Sequence, residues 1–113
     1  MEINSATEAF AALSQETRLA AFRLLVRAGP AGLPAGEIAR TLGAAPSTLS
    51  THLGLLQRAG LVTSERRSRQ VVYRADFDGA GALMRFLMED CCKGHKTVRA
   101  AVRAALGDEA AAA

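Results

Sequence analysis

Apolar residues recur at helical spacing along most of the chain, and strand-like alternation is confined to one short stretch. Over 5–13, Ala6, Phe10 and Leu13 share a helical face, and Ser14 is placed to cap the next element. A second helix is predicted over 15–28, burying Leu19, Phe22, Leu25 and Val26 and turning Arg18, Arg23 and Arg27 to water. Its Glu16 lies in the first turn, where the helix dipole favours a carboxylate. The Gly/Pro-rich segment 29–34 re-aims the chain before a short helix over 35–42, with Ile38, Ala39 and Leu42 inward and Gly43 at its end. Pro46 then stands where a first-turn proline is tolerated, and Leu49, Leu53 and Leu56 recur at i, i+4 and i+7 until Gly60.

Two strands, 61–65 and 70–75, are rich in Val and Thr, and Arg66-Arg67-Ser68-Arg69 forms the tip between them. Past this hairpin, Asp78 is the expected cap of a helix over 79–93, in which Leu83, Phe86, Leu87 and Asp90 repeat at helical spacing, with Met84, Met88 and Cys91 alongside. Gly94 ends it. Thr97 is the expected cap of a last helix carrying a stripe of Val98, Ala101, Val102, Ala105 and Leu106. The apolar surface of the terminal helices exceeds what one small domain can cover, which points to a homodimer formed through 5–13 and 79–106.

The length of 113 residues suits one domain, expected to span 1–107, with 108–113 as a disordered, alanine-rich tail. No stretch approaches the roughly 20 apolar residues of a membrane span. Aromatic residues make up only 4% of the chain and tryptophan is absent, which argues against the exposed rings on which single-stranded bases stack. The net charge of +3 is modest, but residues 65–75 hold four basic residues against one acidic, so the surplus sits in the hairpin. The first seven residues lack the features of a secretory signal, and the two cysteines are adjacent, so a reducing, cytoplasmic home is expected.

A short helix, a tight turn, a second helix with a small polar outer face and then a basic hairpin make a mainly α fold with a β-hairpin wing, a winged helix-turn-helix. The outer face of the second helix carries Ser47, Thr48, Ser50, Thr51 and His52, small enough to enter the major groove of double-stranded DNA. Arg66, Arg67 and Arg69 would meet the phosphate backbone. His52 reads either as groove-facing or as a hydrogen-bonded structural histidine. An enzyme is disfavoured: C-x-x-C, a phosphate loop and a nucleophile–His–carboxylate set are all missing, and no cofactor is called for. A winged helix used only for protein contacts stays open as an alternative.

The segments Leu13-Ser14-Gln15-Glu16-Thr17-Arg18-Leu19, Leu49-Ser50-Thr51-His52-Leu53 and Arg58-Ala59-Gly60-Leu61-Val62 resemble the ArsR/SmtB family of winged-helix metal-sensing repressors over roughly 10–94. The resemblance implies a homodimer that binds a palindromic operator and releases it when a metal or metalloid occupies a sensor site. Members with the best-known metalloid site carry cysteines in the helix before the recognition helix, where this chain has Ala35-Gly36-Glu37-Ile38-Ala39. The zinc-sensing members use Asp and His ligands after the wing, which the two histidines here, His52 and His95, cannot supply. What remains is Glu89-Asp90-Cys91-Cys92-Lys93-Gly94-His95, similar to the vicinal-cysteine segment of arsenic-responsive members, though without the further cysteine these usually add.

Soft thiolates select thiophilic ions, so the implied inducer is arsenite, antimonite or a trivalent organoarsenical. Neighbours on an ideal helix point about 100° apart, and Cys91 and Cys92 converge on one ion only if the turn loosens, which Gly94 makes easy. A structural disulfide is disfavoured, because adjacent Cα atoms lie about 3.8 Å apart, below the usual ~4.4 Å minimum. His95 is a candidate third ligand, while Met84 and Met88 read as packing residues. With two thiols per chain, a methylarsenical that needs two sulfurs competes with arsenite. A thiol redox or persulfide sensor on the same fold is the alternative.

Overall fold

The computed structural model describes residues 1–91, 93 and 95–107, without the side chains of Asp90 and Cys91. Cys92, Gly94 and the expected tail 108–113 lie outside the described residues. The elements run α1 (Ile3–Leu13), α2 (Glu16–Ala28), a 3-10 turn (Gly29–Ala31), β1 (Leu33–Pro34), α3 (Ala35–Leu42), α4 (Pro46–Arg58), β2 (Val62–Arg67), β3 (Gln70–Ala75), α5 (Phe77–Arg85), a π-helical turn (Phe86–Cys91) and α6 (Lys96–Leu106). Among the described residues, no helix is long and apolar enough to cross a membrane.

The core is built where α3 and α4 cross α2 and the sheet, with Leu25, Ile38, Leu49, Leu53, Leu56, Leu61 and Val62 fully buried. The i, i+4, i+7 leucines of α4 thus face inward as their spacing requires, and Gly43 closes α3 in a left-handed conformation. The inward face of α1 differs from expectation at Phe10. Ala6, Ala9 and Ala12 are buried, Leu13 is partly so, and Phe10 is 39% exposed. The helix carries apolar residues on more than one side, so periodicity could not choose between them, and the methyl-only face gives the closest approach to α2 and α4. In α2 the buried positions are Ala21 and Leu25, flanked by half-buried Phe22 and Leu24, whereas Leu19 and Val26 are exposed. Arg23 and Arg27 face water as expected, but Arg18 is half-buried.

The helix starts differ from expectation by a residue or two, for a common reason. Gln15 rather than Ser14 caps α2, accepting from Arg18 N–H at 2.9 Å, while the Ser14 hydroxyl donates back to Ala11 O. Asp76 rather than Asp78 caps α5 through Gly79 N–H at 3.0 Å, held in place by its own N–H on Leu61 O. His95 rather than Thr97 caps α6. In each case two polar residues stand within two positions of each other, and at α5 the Asp76 N–H bond to Leu61 O fixes which of them caps. The helix predicted over 79–93 is α-helical only to Arg85 and continues as the wider π turn.

Three antiparallel strands run in the order β1-β3-β2. The hairpin ladder extends from Val62↔Ala75 to Arg67↔Gln70, so Arg66 and Arg67 belong to the strand and the tip is only Ser68-Arg69. Ser68 takes a positive φ of 58°, as the first position of a II′-type hairpin turn needs. The edge strand β1 pairs Leu33 with Tyr73 and Pro34 with Val72, and was invisible in the pattern because it is two residues long and half proline.

Candidate nucleic-acid interface

Since α4 buries its leucines, its remaining faces are turned outward, and Ser47, Thr48, Ser50 and Thr51 are all exposed. The Thr51 hydroxyl donates to Ser47 O at 3.3 Å, which leaves its oxygen free to accept. His52 departs from this group. It is half-buried, and Arg18 of α2 donates to its Nδ1 at 3.3 Å, so the ring is hydrogen-bonded on that side while Nε2 is left without a partner among the described residues.

The hairpin stands directly beside α4. Ser64 at the base of β2 donates to Gln57 Oε1 in the last turn of α4 at 3.1 Å, a tie that sequence reading missed because both residues look like ordinary solvated polars. Arg66, Arg67 and Arg69 are exposed, and Arg67 pairs with Glu65 at 3.3 Å. Arg74 pairs with the same carboxylate oxygen. Arg66 and Arg69 have no hydrogen-bond or ionic partner among the described residues, so both cations are available to an anion. The arrangement is an exposed polar helix face and a cationic ribbon, joined by one side-chain hydrogen bond.

Arg74's hydrogen bond, ahead of Arg67's, holds the Glu65 carboxyl below the ordinary carboxylate range. A carboxyl with a depressed folded-state pKa contributes to stability above its unfolded value and loses that contribution as the pH falls through the folded one. At neutral pH Glu65 therefore offsets one of the wing's positive charges. Glu65→Gln is expected to steepen the salt dependence of DNA binding, by up to about one phosphate contact's worth, as Arg67 and Arg74 are released. Titrations at several salt concentrations read this directly, and an unchanged slope shows that releasing the two cations adds no phosphate contact.

At the other end of the molecule, Cys91 closes the π turn, and its side chain, like all of Cys92, lies outside the described residues. His95 is described: its Nδ1 accepts from Thr97 N–H at 3.1 Å, so it would offer Nε2 to an ion only after its proton moves to Nδ1 and this cap is given up. Among the described residues no three His, Cys, Asp or Glu side chains cluster as a metal site. Glu89 ties the turn to its surroundings, pairing with Arg85 at 3.6 Å and Arg99 at 2.9 Å.

The fold and the exposed face together define a winged helix-turn-helix DNA-binding protein. A helix-turn-helix domain family model matches residues 13–65. An ArsR-like transcriptional regulator from Rhodococcus sp. RHA1 is 30% identical over 88% of this chain and 91% of its own, with a TM-score of 0.69. The chain belongs to the ArsR family of DNA-binding transcriptional regulators, and is not an enzyme. It is also similar to the homodimeric winged helix-turn-helix domain of Mb0332 from Mycobacterium bovis (25% identity, 83% of this chain, 87% of that one, TM-score 0.64). A protein described as a possible transcriptional regulator for arsenical resistance is 28% identical over 75% of this chain and 84% of its own, with a TM-score of 0.64. A search of curated proteins gives no match.

Proposed function

We propose that this chain is a metalloid-responsive repressor that binds a palindromic operator as a homodimer and leaves it when trivalent arsenic, as arsenite or a methylarsenite, or antimonite binds Cys91 and Cys92. The observation that carries DNA recognition is the joined surface of Ser47, Thr48, Ser50 and Thr51 with Arg66, Arg67 and Arg69, tied through Gln57 and Ser64. Dimerisation is supported by apolar side chains left outside the core in the three helices expected to pair: Ile3 and Phe10 of α1, Phe77 and Met84 of α5, Val102 and Leu106 of α6. The homodimeric Mycobacterium bovis relative supports the same reading. Two recognition helices would then meet half-sites about 34 Å apart, one turn of the duplex.

The inducer reading rests on the chemistry of adjacent thiols and on the π turn leading into them. Widened turns of this kind recur at functional sites, and this one runs up to Cys91. The relative described as a possible regulator for arsenical resistance supports the same ligand class. Chelation that reorganises this turn would shift α6 through the Glu89–Arg99 pair and re-aim the subunits. A coupling of about 3 kcal/mol changes operator affinity roughly 150-fold, so the rearrangement need not be large.

Operator retardation with increasing trivalent arsenical is the test, on the parent, Cys91→Ser and Cys92→Ser. Each serine variant is expected to bind two chains per palindrome as the parent does and to stay bound when arsenical is added. A serine variant released like the parent removes the pair as the sensor. Release by a mild oxidant or persulfide donor, with none by arsenical, replaces metalloid sensing with thiol redox sensing.

A further inference from the structure

The most unusual polar contact in the molecule joins three helices, and operator recognition as described so far makes no use of it. Arg18 on α2 donates from Nε to Ala12 O at 2.7 Å and from a terminal nitrogen to His52 Nδ1 at 3.3 Å. Ala12 lies in the last turn of α1, whose carbonyls have no intrahelical donor. Ser14 serves Ala11 O through both its N–H and its hydroxyl, and the guanidinium serves Ala12 O with a positive charge at the helix's negative end. Arg18 is itself fixed at the start of α2, where its backbone N–H caps onto Gln15.

The chemistry of the second contact has one outcome. A guanidinium can only donate, so His52 Nδ1 must accept, and the proton of the neutral ring sits on Nε2. His52 thus keeps an N–H donor at Nε2, the group a phosphate oxygen or a base acceptor would use. We infer that Arg18 is a positioning residue for operator recognition: it holds His52 of the recognition helix in the Nε2–H tautomer and fastens that ring to the end of α1. The inference deepens the operator-binding reading and rests on it. A lysine cannot replace the fork, because one ammonium lacks the two divergent planar donors that reach Ala12 O and His52 together.

Two measurements test it. Nitrogen-15 NMR of the free parent protein is expected to show His52 as the Nε2–H tautomer, with that bias lost in Arg18→Lys, a change mild enough to keep the fold. Operator binding is then measured for Arg18→Lys, Arg18→Ala, His52→Ala and each double variant, with Arg23→Ala as an exposed arginine control on the same helix. Loss of one charge-assisted hydrogen bond predicts roughly tenfold weaker binding for each Arg18 variant, and little further loss when His52 is already alanine. Thermal unfolding of the same proteins separates a general loss of stability, which would weaken binding equally in both backgrounds. An Nδ1–H tautomer in the parent overturns the inference, as does an Arg18 effect undiminished in the His52→Ala background. A parent with no preference for a palindrome defeats the operator reading instead, and the tautomer then still decides whether the Arg18 contact exists.

Discussion

Gly79→Ala is expected to destabilise the domain by about 3 kcal/mol or more, a large share of the roughly 5–15 kcal/mol that holds a domain of this size together. A Cβ at this position would stand 1.9 Å from Gly60 O and 3.1 Å from Gly60 C. Both are backbone atoms of the turn that ends α4, so no rotamer change relieves the clash. The first turn of α5 can move away only by giving up the Asp76 cap and the Asp76 N–H bond to Leu61 O. Gly81, two residues on in the same helix, has nothing within 4 Å of its ideal Cβ. There the same substitution is expected to stabilise by up to about 1 kcal/mol, the ordinary helix preference for alanine. Urea denaturation of the two variants should therefore move in opposite directions. A Gly79→Ala midpoint equal to the parent's would show that the two backbones do not meet as described.

Replacing Arg66, Arg67 and Arg69 together with alanine is expected to weaken DNA binding roughly a hundredfold at 0.15 M salt, on operator and unrelated sequences alike. Each phosphate contact contributes about 0.9 to the slope of log affinity against log salt, so three lost contacts flatten it by nearly three units. Arg67 is expected to give the smallest single effect, since Glu65 already competes for it. Substitutions at Ser47, Thr48 or Thr51 should act differently, reducing the preference for operator over other DNA while leaving the slope in place. Wing variants that bind like the parent at every salt concentration would rule out the wing as the backbone contact.

Features that depend on local chemistry were legible along the chain, and those that depend on a distant partner were not. The leucines of α4, the glycine closing α3 and the hairpin strands follow from spacing and from single-residue preferences. So does the outward placement of Ser47, Thr48, Ser50 and Thr51. Strand β1 exists only because β3 lies beside it, and Leu33-Pro34 carries no pattern of its own. Arg18 resembles the other arginines of α2 until Ala12 O and His52 are brought to it. On α1 the expected face holds at Ala6 and Leu13 and fails at Phe10, because Ala9 and Ala12 fill the positions nearest the core and leave the larger ring outside.

That alanine seam bears on how a signal could travel. Leucine or methionine at a helix contact can absorb a small shift by changing rotamer, so part of any imposed displacement is dissipated as side-chain rearrangement. Alanine has no such torsion to turn. With Ala6, Ala9 and Ala12 buried against the bundle, α1 brings almost no side-chain torsion of its own to that contact, Leu13 at its end excepted. A displacement of α1 is therefore taken up mainly by the side chains of its neighbours and little by its own.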